Sequence, residues 1–226
     1  MKNLYSEKGK NDVHDMYRTG RDPMMMNVAQ KSRLKITSFS LAFATLPVAL
    51  GHGRVLSPPS RVIGDANLEA CGAGVYDVLD DDATGPIENA AAKVGSDYND
   101  LQCHLWFCKG YQFEDNEDRV QRYSTGQVVN FAVDIVARHT GIANVSVVDL
   151  ASQTTIGKPL FNWPVYTNNS LGPPNWPKNE TNFDVTIPSG LDAICDAPNK
   201  CAIQWWWNSV YSNHQTFESC VDFVIV

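Results

Sequence analysis

The sequence predicts an all-β domain, an immunoglobulin- or fibronectin-III-like sandwich with long loops stapled by disulfides. Three observations predict it. Apolar residues alternate at period two in several segments rich in β-branched and aromatic residues, whereas helical periodicity is scarce. Clusters of Gly, Pro, Asn and Asp separate those segments, and the six cysteines are an even number.

The first such segment, 127–136, puts Val129, Phe131, Val133 and Ile135 on one face. Residues 144–150 resume the pattern after Thr140-Gly141, as a hairpin would. Phe183, Val185 and Ile187 predict a third strand closed by Pro188 and Gly190. Residues 202–207 and 220–226 predict a fourth and a fifth. Alternation across Trp205, Trp206 and Trp207 would bury two of the three, so core packing is their expected role. Residues 64–99 and 163–182 read as long irregular loops, the usual carriers of function on a sandwich.

Ahead of these strands, Lys31, Arg33 and Lys35 precede an apolar run over 36–50 that ends in small residues, Ala49 and Gly51. That order predicts a secretory signal peptide over 24–51, and the run is too short and too polar for a membrane span. Residues 1–23 are polar without periodicity, and Met24, Met25 and Met26 each offer a start, so 1–23 read as a gene-model artefact. Cleavage after Gly51 would leave 52–226 as a single secreted domain, expected to be a monomer without membrane attachment. The whole chain has 18 Lys/Arg and 25 Asp/Glu, a formal charge of −7; residues 1–51 hold eight and four of these, so 52–226 carry −11. Such an acidic surface argues against nucleic acid as a partner.

All six cysteines follow the predicted cleavage point, which in a secretory context predicts three disulfides, with the pairing open on sequence alone. The two short loops are favoured, Cys103–Cys108 and Cys195–Cys201, leaving Cys71–Cys220 to clamp a loop onto the last strand. Sequons at Asn144, Asn168 and Asn179 predict surface glycosylation.

A chain that begins at His52 can chelate one metal ion through its terminal amine and its ring Nδ1 together. The amine has an intrinsic pKa of roughly 8 and loses its last proton to the metal. One further imidazole, His139, would complete a three-nitrogen set. Planar amine and imidazole donors favour one copper ion, where zinc would seek a tetrahedral fourth ligand.

At this point the residues become specific. His52-Gly53-x-Val55 followed by Pro58-Pro59-Ser60-Arg61, and Ala137-Arg138-His139-Thr140 after a strand, resemble the mature start and the second-histidine segment of lytic polysaccharide monooxygenases. Gln215-Thr216-Phe217-Glu218-Ser219-Cys220 resembles their stretch that sets an aromatic at the metal's axial face and a glutamine beside it. With the segment from Cys103 to Gln112, Gln204-Trp205-Trp206-Trp207 and Ser219-Cys220-Val221-Asp222-Phe223, these motifs resemble auxiliary-activity family sixteen, a fungal, cellulose-active group, across 52–226. The resemblance implies a copper-dependent oxidation of cellulose or a related β-1,4-glucan, by hydroxylation at carbon 1 to give aldonic acids. It implies O₂ or H₂O₂ as cosubstrate and an external electron donor, a small reductant or a cellobiose dehydrogenase-like protein. It assigns His52 and His139 to the metal, Phe217 to the axial side, where relatives often carry tyrosine, and Gln215 to a hydrogen bond beside the reacting oxygen.

Simpler readings stand beside these. Taken without His52, His139 would be an ordinary loop histidine. His104 lies between two cysteines, but disulfides outweigh zinc in a secreted chain, and it stays unassigned. His214 reads equally as an exposed neighbour of Gln215 or a contributor to its surroundings. Asp80-Asp81-Asp82 lacks the ligand spacing of an EF-hand and reads as a solvated loop. Asp222 has no partner acid at telling spacing, which leaves paired-carboxylate glycoside hydrolysis with little support. Trp163, Tyr166 and Trp176, placed in a predicted loop, are the candidates for stacking on sugar rings. Two other functions compete: a secreted copper-binding protein without catalysis, and a metal-free carbohydrate-binding module.

Overall fold

The computed structural model describes residues 52–226; the predicted leader lies outside the described residues. Among the described residues eight strands form two sheets. The smaller holds β1 (His52–Ser57), β3 (Val128–Ala137) and β6 (Asn182–Thr186) in the order β1-β3-β6. The larger holds β2 (Gln121–Tyr123), β4 (Gly141–Asp149), β5 (Thr154–Tyr166), β7 (Cys201–Asn208) and β8 (Thr216–Ile225) in the order β2-β8-β7-β4-β5. All neighbours pair antiparallel except β2 with β8. The sandwich predicted from the sequence is the observed fold.

The two sheets face each other across a core that the alternating pattern supplies. Val129, Phe131 and Val133 of β3 meet Val145 and Val147 of β4, Trp205 and Trp207 of β7, and Val221 and Phe223 of β8. Trp205 and Trp207 are fully buried and Trp206 points outward, half-buried, as the period of two requires.

Residues 137–141 do not close a hairpin. β3 and β4 belong to different sheets, and the chain crosses between them at Gly141. A Cβ there would sit 2.0 Å from the Asn208 carbonyl oxygen, so only glycine lets the crossing strand lie against β7. The crossing leaves His139 at the seam between the sheets.

The predicted loop 64–99 carries short helices, α1 (Asp65–Cys71), α2 (Ala73–Asp81) and α3 (Ile87–Ala91), and α4 (Asp100–Cys103) follows. They bury Ala70, Val75, Leu79, Ile87 and Leu105 in a cluster of their own. The segment around them covers the outer face of β8, which is why nine of that strand's ten residues are buried. Every second residue of β8 from Thr216 to Asp222 is tied to the cover. The Thr216 amide donates to Glu88 Oε2 at 2.9 Å, Glu218 accepts the Lys109 amide, Cys220 is bonded to Cys108, and Asp222 pairs with Arg61. Arg61 meets both Asp222 oxygens at 2.7 Å through Nε and Nη2 and also donates from Nη1 to the Tyr111 carbonyl, so the buried charge pair is two-pronged and each guanidinium nitrogen has a partner. Asp222 is therefore a structural carboxylate.

The disulfides are Cys71–Cys103, Cys108–Cys220 and Cys195–Cys201. The last was predicted; Cys103–Cys108 and Cys71–Cys220 are corrected. Cys103 ends α4 facing the helical cluster, while Cys108 faces Val148, Ala202 and Cys220 on the outside of the larger sheet. His104, with φ of +49°, turns the chain between them, so the two cysteines enter different cores. Gly110 completes the arrangement, since at φ +72° it lies close against the sulfurs of Cys71 and Cys103.

Two of the three stacking candidates are also corrected. Trp163 and Tyr166 belong to β5 and are 5% and 0% exposed, packed on each other and, through Tyr166, against Trp205 and Trp207. Trp176 is 41% exposed, with the Arg138 guanidinium 4.6 Å from its ring centre.

Of the sequons, Asn179 is exposed, Asn168 is half-buried in the loop after β5, and Asn144 is half-buried within β4, where it accepts from Ser146. Among the described residues no helix is long and apolar enough to cross a membrane.

Candidate metal centre

β1 and β3 bring the two predicted ligands to one end of the small sheet. In their register His52 stands opposite Ala137, two residues before His139. The Val55 amide donates to Ser219 Oγ at 3.1 Å, tying β1 across to β8 two residues beyond Phe217. The close approach of Gly53 permits this seating, because a Cβ there would lie 3.0 Å from the Asp134 carbonyl and 3.3 Å from Trp205.

His52 is gripped by the end of α2. Its Nε2 lies 2.8 Å from Asp82 Oδ2, while the other carboxylate oxygen accepts from Thr84 Oγ1 at 2.7 Å and the Thr84 amide at 3.0 Å. The Gly53 amide donates to the Thr84 carbonyl at 3.0 Å, so the loop holds both backbone and ring. Burial works against ionisation of Asp82, but the Thr84 bonds and the nearby His52 and Lys109 keep its pKa below the usual value. Lys109 in turn staples this loop, its Nζ donating to the carbonyls of Ala83 and Gly85 at 2.7 and 2.8 Å. Asp82, expected in a solvated loop, is thus part of the site.

His139 is 7% exposed and held by neutral groups. Its carbonyl accepts from Thr167 Oγ1 at 2.6 Å, and the Thr167 amide donates to Glu180 Oε1 at 3.0 Å. Glu180 also pairs with Arg138, and its backbone carbonyl accepts from Tyr166. On the other side, the turn between β7 and β8 supplies Asn213, whose Nδ2 lies 2.6 Å from His139 Nδ1 and 2.5 Å from Gln215 Oε1. Asn213 Oδ1 bonds Ser209, and Ser209 Oγ accepts the Gln215 amide at 2.8 Å. Gln215 is therefore joined to His139 through a single side chain.

Phe217 is fully buried, its ring centre 4.2 Å from that of Trp207 in a near-parallel stack. His214 is exposed with φ of +57°, a turn residue whose amide donates to the Ser209 carbonyl at 3.1 Å. Behind the site, burial pushes Glu218 up to about 8 and Lys109 down to about 8.

Sequence reasoning missed Asp82, Thr167, Glu180 and Asn213. Of these only Asn213 carried a local signal, its place two residues before Gln215. Among the described residues no group of three or more His, Cys, Asp or Glu side chains gathers as a metal site. The donors that fit a copper ion are the two imidazoles together with the amine that residue 52 would carry at a chain start.

A family profile described as lytic polysaccharide mono-oxygenase, cellulose-degrading, matches residues 52–223. No curated protein matches the chain by sequence. Among solved structures, the chain is similar to a chitin binding domain from Burkholderia pseudomallei, at 13% identity over 78% of this chain and 100% of that one, with a TM-score of 0.38. An AA10 lytic polysaccharide monooxygenase from Streptomyces lividans aligns at 16% identity over 79% and 83%, TM-score 0.34. The cellulose-active LPMO CelS2 in complex with copper aligns at 18% identity over 76% and 98%, TM-score 0.40. Likenesses this distant carry no argument about function, and none of these matches supports the family-sixteen assignment. The profile spans most of the chain, and by that match the protein belongs to the lytic polysaccharide mono-oxygenases, copper-dependent enzymes that oxidise polysaccharide with electrons from an external donor.

Proposed function

We propose that the processed protein, beginning at His52, oxidises cellulose or a related β-1,4-glucan at carbon 1, releasing chains that end in aldonic acids. The observation that carries this reading is the β1–β3 register, which sets His52 beside the strand that leads into His139, each ring held by a side chain of its own. His52 would supply its amine and ring Nδ1, and His139 its imidazole. Copper bound there supplies one-electron redox chemistry toward O₂ or H₂O₂.

The chain's own residues do the rest. Asp82 and Thr84 orient His52, while Thr167 and Asn213 orient His139. Phe217, stacked on Trp207, would present an apolar ring to the bound copper, and Gln215, bonded to Asn213, would offer an amide for hydrogen bonding there. Trp176, braced by Arg138, is the one of the three stacking candidates that stays exposed for contact with a sugar ring. Carbon 1 and the fungal family-sixteen grouping rest on motif likeness alone. Secretion, glycosylation at Asn168 and Asn179, a monomeric state and a small or cellobiose dehydrogenase-like reductant complete the reading.

A copper titration tests it. The processed protein should bind one ion, and a single glycine added ahead of His52 should abolish binding while the fold survives. Unchanged copper affinity in the extended protein would sink the amine chelate, and adhesion to cellulose without any copper binding would favour a carbohydrate-binding module.

A further inference from the structure

The two histidines face a requirement that neither satisfies alone. A chelate through the amine of residue 52 needs the lone pair on Nδ1 of His52, whereas His139 has its Nδ1 engaged by Asn213, so ligation there falls to Nε2. A neutral imidazole carries one proton and one lone pair. The two rings must therefore be opposite tautomers, and each needs a neighbour to fix the proton on the nitrogen that does not ligate.

Asp82 suits the first task. An ionised carboxylate can only accept, so its 2.8 Å contact fixes the proton of His52 on Nε2. Thr84 holds the other carboxylate oxygen through two bonds, which keeps Asp82 from rotating away.

Asn213 suits the second task in one of two amide orientations. With Nδ2 toward the ring, Asn213 donates to His139 Nδ1 and Gln215 Oε1, and Oδ1 takes the Ser209 hydroxyl. With both amides turned by half a turn, Asn213 Oδ1 accepts from His139 Nδ1 and from Gln215 Nε2, and Asn213 Nδ2 donates to Ser209 Oγ. The Ser209 hydrogen then goes to the Gln215 carbonyl, 3.1 Å away, and Ser209 still accepts the Gln215 amide. The turned arrangement makes one more hydrogen bond from the same atoms, in a largely buried place where each unmade bond is costly.

We propose that Asp82 and Asn213 are positioning residues that hold His52 with its proton on Nε2 and His139 with its proton on Nδ1, in opposite tautomers, before any metal arrives. This rests on the copper reading of the same site. It goes further by assigning two residues outside the donor set the task of selecting which nitrogens ligate.

The test is ¹⁵N NMR of histidine in the metal-free processed protein above the pH range of imidazole protonation, paired with copper titration. His52 should read as the Nε2-protonated form and His139 as the Nδ1-protonated form. Asn213→Leu, which removes the acceptor, should convert His139 toward the other tautomer and weaken copper binding by about 10–100-fold. Asn213→Asp, which can only accept, should keep both the tautomer and the affinity. Asp82→Ala should do for His52 what Asn213→Leu does for His139. A wild-type His139 protonated on Nε2 while copper still binds would overturn the proposal and leave the copper reading standing. So would wild-type affinity in Asn213→Leu. No copper binding by the wild-type protein would remove the copper reading and this proposal with it.

Discussion

The mounts of the two histidines are built differently. His139 sits 7% exposed at a crossing between sheets, braced by hydroxyls and amides from the loop after β5 and the turn before β8. His52 starts a strand, half-buried, and is gripped by an ionised aspartate at the end of α2 in the segment that covers β8. One mount belongs to the sandwich; the other is borrowed from its cover. The proposed metal site would depend on both staying in place, so its integrity would be set as much by what ties the cover to β8 as by the residues around the rings.

The strongest break of that comparison is at Arg61. Its removal leaves Asp222 charged and buried, and Arg61→Ala should lower stability by about 3–5 kcal/mol in denaturant unfolding. Replacing both partners by apolar residues of similar volume should cost much less. If Arg61→Ala unfolds like wild type, the cover is not anchored through this pair.

A smaller effect is expected on the sandwich side. Thr167→Val keeps the shape but takes away the donor to the His139 carbonyl, at a cost of about 1–3 kcal/mol. Copper affinity should weaken with it, while the Arg61 anchor stays intact. A variant indistinguishable from wild type in both unfolding and copper titration would show that the β3–β4 crossing holds His139 without that bond.

A further effect is one of pH. Burial raises Glu218 from 4.5 to about 8, so between these values the unfolded chain ionises this carboxyl while the folded protein keeps it protonated. The folded state then binds the extra proton, and the contribution of Glu218 to stability falls as pH rises through that window. Burial lowers Lys109 to about 8, so its own contribution recovers only above that pH. Thermal unfolding should show Tm declining from about pH 5 to 8, by about 2–4 °C for each kcal/mol lost. Glu218→Gln should flatten the decline; an unchanged slope would place its origin elsewhere.

Legibility in the sequence divides along the same line. Strands buried on the inner face announced themselves at period two, as Phe131, Val133, Val145 and Val221 do. β5 did not, because it is an edge strand that tolerates Gly157, Pro159 and Pro164 without losing a ladder on both sides. Its concealment is also what made Trp163 and Tyr166 look like loop aromatics. The β3–β4 hairpin failed because alternation says which face a residue takes and not which sheet a strand joins. The disulfides failed because short spacing between Cys103 and Cys108 says nothing of a left-handed turn at His104 that aims them into separate cores.

At the site, His52, His139, Gln215 and Phe217 were legible through local motifs. Asp82 was not: it lies 30 residues from His52, and a carboxylate at a helix end reads as solvated until the fold brings an imidazole to it. Asn213 sits two residues before Gln215, but it meets His139 across 74 residues, a contact that the local position alone does not announce.

The central claim, a pair of histidines that arms the chain's N-terminus for polysaccharide oxidation, is tested most directly on products. Copper-loaded processed protein would be given amorphous cellulose and ascorbate, with His139→Ala as the control, and the soluble products weighed by mass spectrometry. Oligosaccharides ending in aldonic acids, absent in the control, are the predicted result. Tight copper binding with no oxidised product from cellulose would contradict the claim as stated, and would point to copper binding without catalysis or to another glucan.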